Sequence, residues 1–166
     1  DPKIKENGIK LNISKWRRPA PNTIPWDTKA AGLYMICTLS KHEAEKDGFN
    51  DSLMLDHEDY VAEATGANIF FIDEKLKEIH TPIPDCFLDG ITRRTIIDIA
   101  EKKGFKINER KIKLDELKNF DACFLTGTAA EVTPVSQIGE YKFKVTSSIG
   151  EFFDKYLEIV NKKVTA

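Results

Sequence analysis

Hydrophobic residues recur along this chain with two different periods, and the change from one period to the other predicts mixed α and β structure. Short segments rich in β-branched and aromatic residues, bounded by Asp, Asn, Gly and Pro, predict β-strands. These segments cover residues 9–14, 52–56, 60–63, 68–73, 77–81, 105–110, 122–126 and 131–138.

Apolar residues spaced three and four apart predict helices elsewhere in the chain. The helices cover residues 29–46, 92–103, 115–119 and 147–162, and residues 19–25 form an extended connector. Gly48 and Gly104 follow the first two helices, in the position where glycine commonly ends a helix. The last helix is amphipathic, and we expect it only to pack on the rest of the domain.

Residues 124–135 combine apolar, strand-like flanks with a small, hydroxyl-bearing centre. In that centre Gly127 lacks a Cβ, Thr128 offers a hydroxyl group, and Ala129 and Ala130 leave the following backbone amides uncovered. Backbone N–H groups exposed in this way can bind an anion. A tight turn between two strands, without a ligand, is the alternative interpretation.

A second segment of similar character, Leu88-Asp89-Gly90-Ile91-Thr92-Arg93-Arg94, leads into the helix predicted over 92–103. The first amides of a helix have no partner within it, and the helix dipole favours a negative charge beside them. We therefore expect a phosphate site here. An ordinary helix capped by Asp89 is the alternative.

Lys29 stands directly before the small, uncharged run 30–33 and Tyr34, whereas most lysines of the chain lie among other charges. An amine in an apolar setting has a lowered pKa and becomes a nucleophile that can form a Schiff base. The alternative is a surface lysine whose alkyl chain covers nearby apolar groups.

Glu63 lies between two strand-like segments, 60–62 and 69–71. A carboxylate in such a place needs a cationic or N–H partner if it is buried. The pyridinium nitrogen of a cofactor would serve as that partner. A surface turn around Thr65 and Gly66 is the alternative interpretation.

Taken in chain order, four segments resemble the catalytic domain of branched-chain amino acid aminotransferases, which are fold type IV pyridoxal phosphate enzymes. They are the lysine segment, Glu63-Ala64-Thr65-Gly66-Ala67-Asn68, Gly90-Ile91-Thr92-Arg93, and Gly127-Thr128-Ala129-Ala130-Glu131-Val132-Thr133-Pro134-Val135. The resemblance runs from about Trp16 to the end of the chain. It implies a mixed α and β fold, the pseudo-barrel of the large domain of these enzymes.

The resemblance also implies which residues contact pyridoxal 5′-phosphate. Lys29 would form the Schiff base with the cofactor and then carry a proton between its C4′ and the substrate Cα. Glu63 would keep the pyridine nitrogen protonated, so that the ring withdraws electrons, and Tyr34 would hydrogen-bond the phenolic oxygen of the ring.

Two further contacts follow from the same resemblance. The backbone amides of Ile91 and Thr92, with the hydroxyl of Thr128, would bind the phosphate. Thr128 and Ala129 would present their backbone N–H groups to the substrate carboxylate.

The chain also departs from the family pattern. Ala67 replaces a second acidic residue, and Leu33 stands where a polar residue is common. The resemblance further implies a smaller N-terminal domain, which supplies an arginine to the phosphate and most of the side-chain pocket. We therefore expect residues 1–166 to be the C-terminal, cofactor-binding domain, with that small domain absent.

The implied reaction is transamination of leucine, isoleucine and valine with 2-oxoglutarate, giving branched 2-oxo acids and glutamate. We expect weak or no activity from the chain alone, and a homodimer or higher homo-oligomer for the full-length enzyme. A D-amino acid transaminase or an aminodeoxychorismate lyase of the same fold is one alternative. A non-catalytic fragment that binds cofactor or serves in assembly is another.

The composition of the chain limits its expected binding partners but adds no candidate site residue. The length of 166 residues fits one domain, and the net charge of −2 indicates neither a nucleic acid nor an anionic membrane partner. Three separated cysteines without a C-x-x-C motif favour a reducing compartment, the cytoplasm, and no disulfide framework. Three scattered histidines give no metal-ligand spacing, so no metal is expected.

Overall fold

The structure, a computed structural model, describes residues 2–162 and contains a curled mixed sheet with helices packed on it. Its strands are β1 (Ile9–Arg17), β2 (Asp51–Leu55), β3 (Val61–Ala64), β4 (Asn68–Asp73), β5 (Glu78–Thr81), β6 (Lys106–Glu109), β7 (Ala122–Gly127), β8 (Glu131–Ile138) and β9 (Tyr141–Lys142). Its helices are α1 (Pro2–Asn7), α2 (Met35–Lys46), α3 (Ile91–Lys102) and α4 (Ser147–Val160), with 3₁₀ helices at Ala31–Tyr34 and Leu114–Asn119.

All eight predicted strands are confirmed, and most of their bounds agree within one residue. The helix predicted over 29–46 is wrong at its start, because α2 begins at Met35 after a 3₁₀ turn that begins at Ala31. Ala30 is extended, with φ −68° and ψ 133°, so Lys29 precedes both helical segments. Helix α1 and strand β9 were not predicted. The predicted domain also includes residues 1 and 163–166, which lie outside the described residues.

The sheet runs in the order β3-β2-β1-β8-β7-β4-β5-β6, with β9 paired to β8. Strand β1 is parallel to both β2 and β8, whereas the β2–β3, β4–β7 and β7–β8 pairs are antiparallel. The two ends of the sheet approach each other, because Val61 at the start of β3 donates its N–H to the Ile112 carbonyl at 2.8 Å. An isolated bridge between Tyr60 and Lys113 adds to this closure. The sheet therefore curls into a half-barrel, in agreement with the pseudo-barrel fold expected from the resemblance.

Alternation along the central strands sends side chains to the two faces of the sheet. On the inner face, Ile69 and Phe71 of β4 pack with Leu125 of β7 and with the segment that contains Leu117. On the outer face, Phe70 of β4 stacks on a ring of β7 and packs against α3 and α4. The sheet thus separates two apolar cores, each assembled from residues distant in sequence.

The helices are tied to the sheet by their buried faces, and α2 and α3 end where glycine predicts. Helix α2 packs on β1 and β2, and the Ser14 and Ser40 hydroxyls lie 2.7 Å apart across this contact. Gly48 and Gly104 adopt φ values of +81° and +83°, which confirms them as the residues that end α2 and α3. Within residues 2–162, no helix combines the length and apolarity needed to cross a lipid bilayer.

In the part of the chain that the structure describes, the cysteines and the other metal-ligating side chains form no cluster. Cys37, Cys86 and Cys123 are all buried and free. Among residues 2–162, no three or more His, Cys, Asp or Glu side chains are grouped so that they could hold a metal ion.

Candidate active site

One cavity of about 230 Å³ opens where β3, β4, β7, the first turn of α3 and the segment that follows β1 converge. Six of the seven residues singled out from the sequence line this cavity: Lys29, Tyr34, Glu63, Ile91, Thr92 and Thr128. The seventh, Ala129, lies on the same turn as Thr128 but is not among the residues that line the cavity. Segments separated by up to about 100 residues therefore meet at a single site.

Helix α3 begins at the cavity without a side-chain cap. Its N-cap residue is Gly90, which has an extended backbone and no side chain that could cap the helix. Asp89 instead forms ion pairs with Arg93 and Arg94, at 2.8 Å and 2.7 Å. The Asp-capped alternative is therefore wrong, and the first amides of α3 are open to an anion.

Asn68 and Gly90 connect two of the sequence motifs directly. The Asn68 side chain donates to the Leu88 carbonyl at 2.9 Å and accepts from the Gly90 N–H at 3.3 Å. A Cβ added at Gly90 would lie only 2.5 Å from Asn68 Oδ1. A side chain at Gly90 would therefore displace the Asn68 amide, whose two hydrogen bonds fix the start of α3 against strand β4.

The turn between β7 and β8 consists of residues 128–130, and the flanking Gly127 and Glu131 are paired in the sheet. It is a tight strand-to-strand turn, as the alternative interpretation proposed, but it also borders the cavity. A Cβ added at Gly127 would make only ordinary contacts, the nearest at 3.5 Å from the Gly66 carbonyl oxygen. Internal packing therefore does not require glycine at this position.

Lys29 borders the cavity, but its surroundings differ from those inferred from the sequence. The Lys29 side chain is exposed, as are Ala30, Ala31 and Gly32 beside it. Within residues 2–162, therefore, the apolar setting proposed for its amine is not present. The cause is local, because the residues that follow Lys29 lie on the surface and only Leu33 turns inward.

Glu63 is buried and faces a cation that the sequence reasoning missed. Arg18, at the end of β1, places its Nε 3.5 Å from Glu63 Oε1, and both side chains are nearly inaccessible. The guanidinium donates its hydrogen bonds elsewhere, to the Cys86 carbonyl at 3.1 Å and to the sulfur of Cys37 at 3.3 Å. The surface-turn alternative for Glu63 is therefore wrong.

The proton affinity of Glu63 reflects this environment. Burial raises the pKa of its carboxyl group from 4.5 to about 8, while the Arg18 charge opposes the change and Asp51 adds to it. Burial prevails because Arg18 lies close to Glu63 without a direct hydrogen bond to it. Near neutral pH, Glu63 can therefore hold a proton at the floor of the cavity.

Sequence reasoning missed three residues of the site: Arg18, Asn68 and Thr126. Arg18 lies in the short basic run 15–18, and this local pattern does not reveal that its side chain turns inward. Asn68 was part of a quoted motif, yet its contact with Gly90 depends on the tertiary fold. Thr126 is fully buried at the end of β7 and lines the cavity.

The fold and the cavity agree with one class of protein, and a comparison with known families identifies that class. Residues 1–138 match the family model of class IV aminotransferases. The chain belongs to this family.

Its relatives narrow the class further. A probable branched-chain-amino-acid aminotransferase of Rickettsia felis is 42% identical over 93% of this chain and 52% of its own length. The branched-chain-amino-acid aminotransferase of Pseudomonas aeruginosa is 38% identical over 97% of this chain and 53% of its own length. The chain thus spans about half the length of these curated relatives.

Solved structures agree with this placement. A branched-chain aminotransferase from Thermoproteus uzoniensis with norvaline superposes with a TM-score of 0.89 at 32% identity, over 98% of this chain and 54% of that one. An aminotransferase from Brucella abortus bound to the cofactor PLP has a TM-score of 0.85 at 29% identity, over 96% of this chain and 56% of that one. The expected fold is confirmed.

Proposed function

We propose that this chain is the cofactor-binding half of a pyridoxal-phosphate enzyme that transfers the amino group of leucine, isoleucine or valine to 2-oxoglutarate. The observation that carries the proposal is the single cavity that brings together the lysine, the glutamate and both anion-binding turns. The relatives named above support branched-chain substrates over D-amino acids or aminodeoxychorismate.

The cavity suits such a cofactor in both charge and hydrogen bonding. The uncapped N-terminus of α3 borders the site, as does the buried Thr126 hydroxyl, which has no hydrogen-bond partner among residues 2–162. A carboxyl group that can exchange a proton near neutral pH, that of Glu63, lines the same cavity. Pyridoxal phosphate, when bound, supplies a conjugated ring that withdraws electrons from the substrate Cα.

The residues of the chain would divide the remaining work. Lys29 would hold the cofactor covalently and move the proton at the substrate Cα, a task in which a positioned base contributes roughly 10²–10⁴-fold. Tyr34 would orient the ring through its hydroxyl. Glu63 would hold a proton at the ring nitrogen, and its raised pKa supports this role because it makes proton sharing possible near neutral pH.

Backbone groups would bind the two anionic ends of the ligands. The amides of Ile91 and Thr92 open α3, and we assign them with the Thr128 hydroxyl to the phosphate. The amides of Thr128 and Ala129 would hold the substrate carboxylate. The side chain of Ala129 does not need to reach the cavity for its amide to do so.

We also propose that catalytic turnover requires a further domain of the polypeptide and a second subunit. The relatives are about twice as long as the matched region, and we assign the missing phosphate arginine and side-chain pocket to a preceding domain. The exposed side chains of Tyr34, Met35 and Leu39 support contact with that domain or with a partner in a homodimer or larger homo-oligomer. The free, buried cysteines support a cytoplasmic location.

Covalent attachment of the cofactor tests the proposal. The chain is incubated with pyridoxal phosphate, reduced with borohydride, and digested with a protease that cleaves at acidic residues. We expect the label on the peptide that contains Lys29, and Lys118→Ala, at another exposed lysine, should leave it there. Label spread over several lysines, or its persistence in Lys29→Ala, would contradict the proposed function.

A further inference from the structure

The hydroxyl of Thr126 is a buried polar group whose partner is missing among the described residues. Thr126 has a relative exposure of 0%, and its Oγ1 atom makes no hydrogen bond. Most buried hydroxyl groups are satisfied, and one that is not needs an explanation. Thr81, an equally buried strand threonine, shows the ordinary situation, because its hydroxyl donates to the Ile69 carbonyl at 2.8 Å.

The position of Thr126 on strand β7 indicates which way its side chain points. Ala122 and Phe124, two and four residues earlier, pack in the outer core against α3 and α4. Side chains two residues apart on a strand share a face, so Thr126 points to the α3 side of the sheet. It also lines the candidate active site.

The neighbours of Thr126 place it beside the start of α3. In the pairing of β4 with β7, Thr126 lies opposite Asn68. The side chain of Asn68 is hydrogen-bonded to Leu88 and Gly90, the residues that lead into the helix. An unsatisfied hydroxyl therefore lies next to an uncapped helix N-terminus, and the two together favour an anion with several oxygen acceptors.

We propose that Thr126 is a phosphate-binding residue, whose hydroxyl donates a hydrogen bond to the phosphate group of a ligand bound at the N-terminus of α3. The inference rests on the proposed function, which supplies the phosphorylated cofactor as the ligand. It adds a contact beyond the amides of Ile91 and Thr92 and the hydroxyl of Thr128. It also explains why the sheet retains a hydroxyl with no partner of its own.

The test compares Thr126→Val, which removes the hydroxyl at nearly constant shape, with Thr126→Ser, which keeps it. Dissociation constants are measured by fluorescence for pyridoxal phosphate and for pyridoxal, which lacks the phosphate. A hydrogen bond to a charged group corresponds to a loss of roughly tenfold or more in affinity. We expect Thr126→Val to lose that much for pyridoxal phosphate and nothing for pyridoxal, and Thr126→Ser to bind pyridoxal phosphate nearly as the parent does.

Thr81→Val is the matched control. It removes a satisfied hydroxyl from a buried strand position outside the cavity, so it should lower the urea midpoint of unfolding without changing affinity for pyridoxal phosphate. Thr126→Val should show the reverse pattern, because without ligand its hydroxyl has no partner to lose.

Two results would overturn the inference. One is that Thr126→Val binds pyridoxal phosphate as tightly as the parent chain, or that its affinity for pyridoxal falls as much as its affinity for pyridoxal phosphate. The other is that the parent binds pyridoxal phosphate no more tightly than pyridoxal.

Titration with inorganic phosphate, followed through the amide signals of Gly127 and Thr128, shows whether the bound anion is free phosphate or the phosphate group of the cofactor. A response that depends on Thr126 would show that free phosphate suffices, and a response to pyridoxal phosphate alone would assign the site to the cofactor.

The outcomes also separate this inference from the proposed function. Specific labelling of Lys29 with unchanged affinity in Thr126→Val would refute only the role of Thr126. Phosphate binding that depends on Thr126, without specific labelling of Lys29, would refute only the aminotransferase proposal.

Discussion

Replacing Glu63 with glutamine should change how the stability of this chain depends on pH. The carboxyl group titrates at about 8 in the folded chain against 4.5 ordinarily. Because the pKa of Glu63 is higher in the folded chain than in the unfolded chain, its protonation stabilises the folded state. This contribution is complete below pH 4.5 and is lost as the pH rises through about 8. At about 1.36 kcal/mol per pKa unit, the whole loss is about 5 kcal/mol, a large share of the ~5–15 kcal/mol that stabilises a typical domain.

About 3 kcal/mol of this loss falls between pH 5.5 and 8.5, a range convenient for measurement. Urea unfolding of the parent chain and of Glu63→Gln, followed by circular dichroism at several pH values, gives the difference in their free energies of unfolding. Because other titrating groups are common to both proteins, their contributions cancel in that difference. We expect the glutamine variant to gain about 3 kcal/mol relative to the parent as the pH rises over this range.

Glu140→Gln is the control, since this glutamate is exposed and its replacement should leave the difference flat. Parallel pH profiles for the parent and Glu63→Gln would refute the reasoning. They would show that Arg18, 3.5 Å away, keeps the carboxylate ionised throughout, and that its attraction exceeds the cost of burial.

Four further outcomes are expected. Lys29→Ala should abolish covalent attachment of pyridoxal phosphate while leaving the unfolding midpoint unchanged, because the side chain is exposed; a lowered midpoint would indicate a structural role instead. Arg18→Met should destabilise the chain by about 3–5 kcal/mol at pH 8.5, where Glu63 is ionised and loses its cation, and by less at pH 5.5; equal losses at both pH values would contradict the pairing. Gly90→Ala should lower the free energy of unfolding by about 1–3 kcal/mol, because the added Cβ meets Asn68 Oδ1 at 2.5 Å. Its control, Gly150→Ala, lies in open space within α4 and should stabilise the chain by up to about 1 kcal/mol. The chain by itself should bind pyridoxal phosphate weakly and transaminate leucine little, and fusion to the preceding domain of a relative should restore turnover; full activity of the chain alone would refute the need for that domain.

The sequence by itself determined the elements, because the signals that define them are local. Residues 69–72 are apolar and aromatic or β-branched, which is enough to predict a strand over 68–73. Gly104 predicts the end of α3, because a left-handed residue is needed there. Four motifs in chain order also indicated the family, because each is a local run of residues that can be recognised without knowing any tertiary contact.

Local signals failed at the start of α2, where one pattern fits two conformations. The small residues Ala30, Ala31 and Gly32 follow Lys29, and nothing in their pattern distinguishes an extended residue followed by a 3₁₀ turn, as observed, from the first turn of α2. Burial could not be inferred for Lys29 either, because a small neighbouring side chain covers an amine only if another part of the chain packs over it. The structure leaves this lysine exposed.

Only the tertiary structure decided the chemistry of the cavity. Arg18 meets Glu63 across 45 residues of sequence, Asn68 meets Gly90 across 22, and Thr126 reaches the start of α3 only because β7 pairs with β4. Burial of Glu63 sets its pKa, and burial is a property of the closed sheet and not of any segment. A sequence pattern specifies which groups are available, whereas their proton affinities and free hydrogen bonds depend on desolvation and distance, which exist only after the chain has folded.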